Sequence, residues 1–401
     1  MKVALLLLFG LLGWAVSAQD RVSVPFKAFP TEYEVFVGGD RLAYSLRGDG
    51  LRVYPLPQGP VRVNLTAPGS LPLSLSLDVK PGMAAIQAKL EPRQGPLSLV
   101  AEAATGKSPR SLTFSADGKK LFVALQGEPG VDVYEVPSLK KMKRLAAPEG
   151  APSGFTDVLS LGTEVWAVQN DGRVHAFDSA TLAFKDSKDL TGGGNAFLTD
   201  LGGGRVAVAN WDNGQIIPVD TSTRKPLASF SSTASVRGFT FGQGAGYVSY
   251  FDRGQIAVLD GATWKVKATW NAGKAPRPVA VLGGLVFVGD MGSAQVLLLD
   301  AATGKPINSV AVASNPHQMT ASKTLVAVAS RGRNNPNDYQ LPGPDFGKVT
   351  LLDAHGEVFG SVWGRNQPTG LAFSSDGKYL AFTDYLDDNL ELYRVAAPSG
   401  R

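Results

Sequence analysis

The stretch PTGLAFSSDGKYLAFTDYLDDNLELYRV, residues 368–395, holds three short apolar runs, separated by a Ser-Ser-Asp-Gly turn and by a polar loop. Apolar residues bounded by Gly, Asp and Asn are the mark of short strands joined by tight turns. Its third run ends a pattern that recurs through the chain: an apolar residue, a variable pair, an apolar residue, then usually an acid. The copies are 131–135, 174–178, 216–220, 256–260, 296–300, 349–353 and 390–394, spaced by 40 to 43 residues except for one interval of 53. A period near 40 residues with strand content is the spacing of one four-stranded propeller blade.

Ahead of each copy lies a second apolar strand, at 121–125, 165–168, 206–209, 246–250, 285–288, 325–329 and 380–383. Before these comes an innermost strand, introduced by Pro109, Pro152, Asn195, Val236, Pro276, Pro316 and Pro368. Proline is tolerated there because the first residue of a strand need not donate to the ladder. The recurring acid, as in Asp300-Ala301-Ala302-Thr303-Gly304, is expected to accept hydrogen bonds from backbone N–H groups just ahead of it and so start a turn. That is a structural task, not a catalytic one.

The seventh unit runs out of chain after three strands. Residues 97–103, ahead of the first unit, resemble the outer strands at 266–270 and 307–312, so they are expected to complete the last blade and cover its open edge. The sequence therefore predicts an all-β chain with a seven-bladed β-propeller over residues 97–395.

Composition agrees with that class. The 401 residues include 46 Gly and 26 Pro, and no amphipathic helix stands out. With no Cys, disulfides, thiolate metal sites and cysteine nucleophiles are excluded. The formal charge of +4 comes without any Lys/Arg run, so no nucleic-acid partner is expected. Met1-Lys2, the apolar run 3–16 and Val16-Ser17-Ala18 have the order of a signal peptide over residues 1–18, with cleavage expected after Ala18. The run is shorter than the roughly 20 residues of a membrane-spanning helix, and no other long apolar segment follows. Export is expected, to the periplasm, cell surface or extracellular space, as a monomer with no membrane span after cleavage.

The segments Ser108-Pro109-Arg110-Ser111 with LTFSADGKKLFVAL, and Gln367-Pro368-Thr369 with GLAFSSDGKYLAFTDYLDDNLELYRV, resemble the YVTN-type β-propeller repeat. The resemblance covers about 97–395 and implies kinship in fold with bacterial lactonase-like and surface-layer proteins. Residues 24–93 lack the repeat. Their strands are expected at 34–37, 51–54, 61–65, 73–79 and 85–90. The order of Leu56-Pro57-Gln58-Gly59, Ala67-Pro68-Gly69 and Lys80-Pro81-Gly82 resembles the PEGA domain, a small β-sandwich. An unrelated sandwich is the alternative, and both imply a spacer or adhesive role. Asn64-Leu65-Thr66 fits the glycosylation acceptor pattern, a common chance match.

Propellers bind ligands on the face where the innermost strands begin. The residue after each introducing position is Arg110, Ser153, Ala196, Arg237, Arg277, His317 and Thr369, which places three arginines and a histidine in one ring. Loops between second and third strands add Trp211, Asp212, Tyr250, Asp252, Arg331, Arg333 and Asp384. Two accounts of this charge stand together. Either the arginines pair with neighbouring carboxylates and tie blades together, or Arg110, Arg237 and Arg277 converge on an anion, which guanidinium forks suit. The sixth unit carries an insertion, 331–346, that brings Tyr339 and Asp345 to the same face, and long loops on rigid scaffolds often carry function. His175 and His355 are placed elsewhere in the blades, so no histidine zinc site, metal or cofactor is expected. Trp166 reads as core, Trp211 as a residue free to stack. The expected function is non-catalytic binding or scaffolding, with an envelope protein, a glycan or an anionic small molecule as partner; a lactonase-like hydrolase using His317 is the alternative.

Overall fold

A computed structural model describes residues 21–29, 33–38, 40–49, 51–67, 70, 72–91, 95–146 and 154–396. The expected leader, 1–18, lies outside the described residues. The chain divides into two compact units, with the break after Leu90, and every element in both is a strand.

In the first unit Arg21–Phe29 alternates apolar and polar residues, turning Val22, Val24, Phe26 and Ala28 inward. The unit's first strand therefore starts three residues ahead of the boundary at 24 expected from sequence. The strand pairs antiparallel with Arg52–Pro57 and parallel with Ile86–Lys89. Glu34–Val37, Gly59–Thr66 and Leu73–Val79 build the second sheet. Val24, Phe26, Tyr54 and Leu56 share one core with Val35, Val63 and Leu65, which makes the unit a two-sheet sandwich.

The second unit contains seven four-stranded antiparallel sheets. Their innermost strands, Pro109–Phe114, Phe155–Leu161, Ala196–Gly202, Val236–Gly242, Pro276–Leu282, Pro316–Ala321 and Pro368–Phe373, neighbour one another in a closed cycle. The seventh sheet takes its outer strand from Leu97–Ala104, in register from Asn389↔Ala104 to Val395↔Leu97. Adjacent sheets bury a shared apolar layer. Phe122 and Val133 of the first meet Val158 and Val165 of the second, while Leu112 and Val123 meet Leu390 and Leu392 of the seventh. Each such side chain stabilises by about 1.5–3 kcal/mol when removed from water, so closing the ring satisfies both apolar faces of every blade.

Turn chemistry follows the expected lines. Asp178, Asp220, Asp260 and Asp300 each accept the N–H of the threonine three residues on, at 2.7–2.8 Å. In the first and last blades Ser115 and Ser374 donate to Asp117 and Asp376 at 2.6 and 2.7 Å, and Gly118 and Gly377 take φ of +70° and +72°, which only glycine adopts without strain.

One local reading is corrected. The innermost strand of the second blade starts at Phe155, not after Pro152, and Ser153 lies outside the described residues. The ring residue there is Thr156. In the third blade it is Phe197, because the strand starts at Ala196.

Candidate functional site

Six of the seven innermost strands break register just after their first residue, as in Pro109↔Leu125 followed by Ser111↔Ala124. A bulge leaves its extra residue outside the ladder and re-aims its side chain. The residues so released are Arg110, Thr156, Arg237, Arg277, His317 and Thr369. The third blade keeps regular pairing there, and its ring residue is the apolar Phe197. Thr156 and Thr369 donate to backbone carbonyls of the next blade, Ala196 at 2.8 Å and Pro109 at 3.2 Å. Three arginines and His317 are left to define the mouth.

A second tier lies above. One residue past each second strand, the N–H donates to the carbonyl just before that blade's innermost strand: Gln126 to Ser108, Asn170 to Gly154, Trp211 to Asn195, Phe251 to Ser235, Met291 to Ala275, Arg331 to Asn315 and Tyr385 to Gln367. Seven equivalent positions are thereby fixed over the channel. Phe251 and Met291 hold two of these positions and were not among the loop residues read from sequence, because an apolar residue just beyond a strand end carries no signal that separates it from the strand.

The tiers interlock around Trp211. The guanidinium carbons of Arg110, Arg237 and Arg277 lie 5.4, 5.8 and 5.3 Å from its ring centroid, within cation–π range. Arg110 also approaches the Tyr385 ring at 6.0 Å, and Arg331 the Tyr339 ring at 5.5 Å. His317 Nε2 stands 3.2 Å from Arg110 Nη1 and 2.8 Å from Arg277 Nη2. Guanidinium can only donate, so Nε2 accepts both bonds and the imidazole is neutral with its proton on Nδ1. Burial, then Arg277, Arg110 and Arg331, hold its pKa well below the usual histidine value. This geometry leaves Nε2 no lone pair for the acid–base role of a hydrolase.

Among the described residues no carboxylate pairs directly with these guanidinium groups, and Asp157 acts on Arg110 only as a nearby opposite charge. Among the described residues, Arg110, Arg237, Arg277 and Arg331 form no ion pair. Arg277 Nε, Arg331 Nε and Nη2, His317 Nδ1 and Trp211 Nε1 are buried without a protein hydrogen-bond partner. Burial lowers the pKa of Arg277 well below the usual value, with Arg110, Arg331 and Arg237 adding repulsion, and brings Arg331 down to about 10. Below the mouth runs a channel of ≈ 460 Å³ lined by the innermost strands. Its one acidic lining residue, Asp157, accepts from Ser111 Oγ and from the N–H groups of Val158 and Leu198, and burial raises its pKa to about 6.

The nearby acids are committed to backbone. Asp212 accepts the N–H of Asn195 at 2.8 Å, Asp252 that of Ser235 at 3.0 Å, and Asp388 that of Ser108 at 2.8 Å. The account in which arginines pair with neighbouring carboxylates is overturned for Arg110, Arg237, Arg277 and Arg331. Asp384, grouped with the mouth from sequence, is fully buried and accepts the N–H of Arg365 at 2.8 Å. Tyr250 belongs to the core between the third and fourth blades. Arg333 pairs with Asp345 inside the 331–346 insertion. Six of the residues singled out therefore come together, Arg110, Arg237, Arg277, His317, Trp211 and Arg331, and Asp212, Asp252, Tyr250, Arg333 and Asp384 stand apart from them. Trp166 is core, as read, with Nε1 donating to Glu164 at 2.9 Å.

Comparison with solved structures adds the WD40 domain of Neurospora crassa Pan2, which matches with a TM-score of 0.60 at 13% identity, over 76% of this chain and 96% of that domain. The fold is a β-propeller. A curated relative, Antigen Lp49 of Leptospira interrogans serogroup Icterohaemorrhagiae serovar copenhageni (strain Fiocruz L1-130), is 28% identical over 315 residues, 72% of this propeller-bearing chain and 68% of the relative. No family model matches the chain. Among the described residues no helix is long and apolar enough to cross a membrane, and no group of three His, Asp or Glu side chains is placed to hold a metal.

Proposed function

We propose that this is an exported binding protein whose propeller mouth holds an anionic ligand between Arg110, Arg237, Arg277 and Arg331. The observation that carries the reading is the gathering of four guanidinium groups with no carboxylate partner among the described residues. Arg331 is buried and the other three are half-buried; charge drawn out of water without a partner is costly, and a bound anion offsets that cost. Guanidinium forks suit carboxylate and phosphate oxygens, and the buried donors of Arg277, Arg331, His317 and Trp211 would complete their hydrogen bonds on such a ligand. Export is supported by the leader-like start of the sequence and by the likeness to a protein named as an antigen. In this reading the blades are YVTN-type repeats and the first unit is a PEGA-like spacer.

The test is calorimetric titration of purified protein with chloride, acetate, phosphate, sulfate and citrate, repeated on Arg110→Gln/Arg277→Gln. Saturable binding of at least one anion, weakened in the double variant, is expected. Absence of binding for all of them, or equal binding by the variant, defeats the reading.

A further inference from the structure

The charge gathered at the mouth says how many acid groups the ligand carries. Arg277 lies on the fifth blade and His317 and Arg331 on the sixth, whereas Trp211 belongs to the third. At this mouth Arg277 Nε, His317 Nδ1, Arg331 Nε and Nη2 and Trp211 Nε1 are buried atoms that find no protein partner among the described residues. In a seven-membered ring the third and sixth blades face each other across the channel. Trp211 nevertheless reaches across to within 5.3 Å of the Arg277 guanidinium, so the number of acid groups is set by charge. Four guanidinium groups meet one lining carboxylate, Asp157, whose oxygens are already taken by Ser111, Val158 and Leu198. One negative charge leaves most of the ring's positive charge uncompensated in a poorly solvated site.

Size points to a small molecule. The channel behind the ring holds ≈ 460 Å³, the scale of a metabolite pocket. Tyr339, from the 331–346 insertion, reaches over the mouth: its carbonyl accepts from Gln367 Nε2, and its ring lies 5.5 Å from Arg331. That roof narrows access for a polypeptide.

We infer that the mouth selects a small polyanion, a molecule with two or more separate acid groups and about three negative charges, held by Arg110, Arg237 and Arg277 around Trp211 and by Arg331 from above. This rests on the anion-binding reading and goes beyond it by fixing the number of acid groups. Citrate and pyrophosphate share the relevant chemistry, and comparing them separates carboxylate from phosphate preference.

The experiment is titration of the full protein with acetate, phosphate, pyrophosphate, citrate and poly-glutamate at constant ionic strength. Citrate or pyrophosphate should bind at least about 100-fold more tightly than acetate, roughly two factors of ten in Kd. Arg331→Gln should weaken citrate by about tenfold or more while leaving acetate nearly unchanged, because three arginines remain to meet acetate's single charge. A melting curve for each variant separates lost binding from lost fold. Arg331→Lys, which keeps the charge without the fork, should recover only part of the citrate affinity. If acetate and citrate bind within about threefold of each other, the polyanion inference falls while the anion site stands. Binding of poly-glutamate that citrate does not displace overturns the small-molecule class. If nothing in the series binds, the anion site itself is refuted.

Discussion

Replacing Arg277 by Met is expected to stabilise the propeller while removing its affinity for anions. In the fold Arg277 loses water and feels Arg110, Arg331 and Arg237, all of like charge. Two like charges about 8 Å apart repel by about 2 kcal/mol at an effective dielectric of about 20. Three such neighbours, with the desolvation of Arg277 added, outweigh what the residue returns, including its cation–π contact with Trp211 at 5.3 Å, about 0.5–2 kcal/mol. Its hydrogen bond to His317 Nε2 contributes about 1.5–3 kcal/mol as a bond to a charged donor, and that nitrogen keeps Arg110 as partner after the substitution. Methionine matches the stem in volume and packs beside Met291, whose sulfur already lies 3.9 Å from Arg277 Nη1. The net expectation is a gain of about 2 kcal/mol, in line with other buried charges replaced by apolar residues, and a Tm higher by about 4 °C. The assay is guanidinium-chloride unfolding followed by tryptophan fluorescence, in chloride and then in a saturating anion. The gap between wild type and variant should shrink in the anion, because only the wild type gains binding free energy. A variant destabilised by about 1 kcal/mol or more in chloride would refute the reasoning, since it would mean that the native arginine is structurally satisfied.

Two further predictions concern buried acids. Glu391 lies opposite Glu102 across the closing ladder, with Asp384 on the adjacent strand and Asp387, Arg365 and Tyr393 around them. Burial, then its neighbouring carboxylates, raises Glu391 well above the usual carboxyl range, and burial with Asp387 takes Asp384 to about 7. Both folded values exceed the unfolded ones, so this stability is present in acid and is lost as pH rises from the ordinary carboxyl range through about 7. Glu391→Gln should flatten the decline in unfolding midpoint between about pH 5 and 8 and gain about 2 kcal/mol at the upper end; a wild-type midpoint that does not fall contradicts it. Asp132 has the opposite sign: burial pushes its carboxyl up, but Arg144 at 2.7 Å and Lys141 at 2.7 Å outweigh that and hold it low. Its contribution is therefore present above the ordinary carboxyl pKa and is lost as pH falls toward the lowered folded value, and Asp132→Asn should cost about 1 kcal/mol at neutral pH, since Lys141 and Arg144 stay partly in water and Arg144 keeps Glu128, with an unchanged unfolding midpoint counting against it.

The sequence by itself determined the repeat, the all-β class, the turn role of Asp178, Asp220, Asp260 and Asp300, and the strand from Leu97 that completes the last blade. The turns and the acids are local, because a strand, its turn and its acid lie within a few residues of one another; the closing strand, which pairs with 389–395, was legible only because the repeat count left one strand missing. It also put Arg110, Arg237, Arg277 and His317 at one level, since each follows the start of an innermost strand. What it could not reach was the partner of each charge. Asp212, Asp252 and Asp388 were near the arginines in the repeat frame and looked available, yet in the folded chain they are used by the N–H groups of Asn195, Ser235 and Ser108. That choice depends on angles and distances around a closed ring, where blades far apart in sequence meet. Only the tertiary structure showed three guanidinium groups around Trp211 and a fourth beside Tyr339 with no ion-pair partner among the described residues, and the reason is geometric: a carboxylate has few lone-pair directions, and backbone donors occupy them.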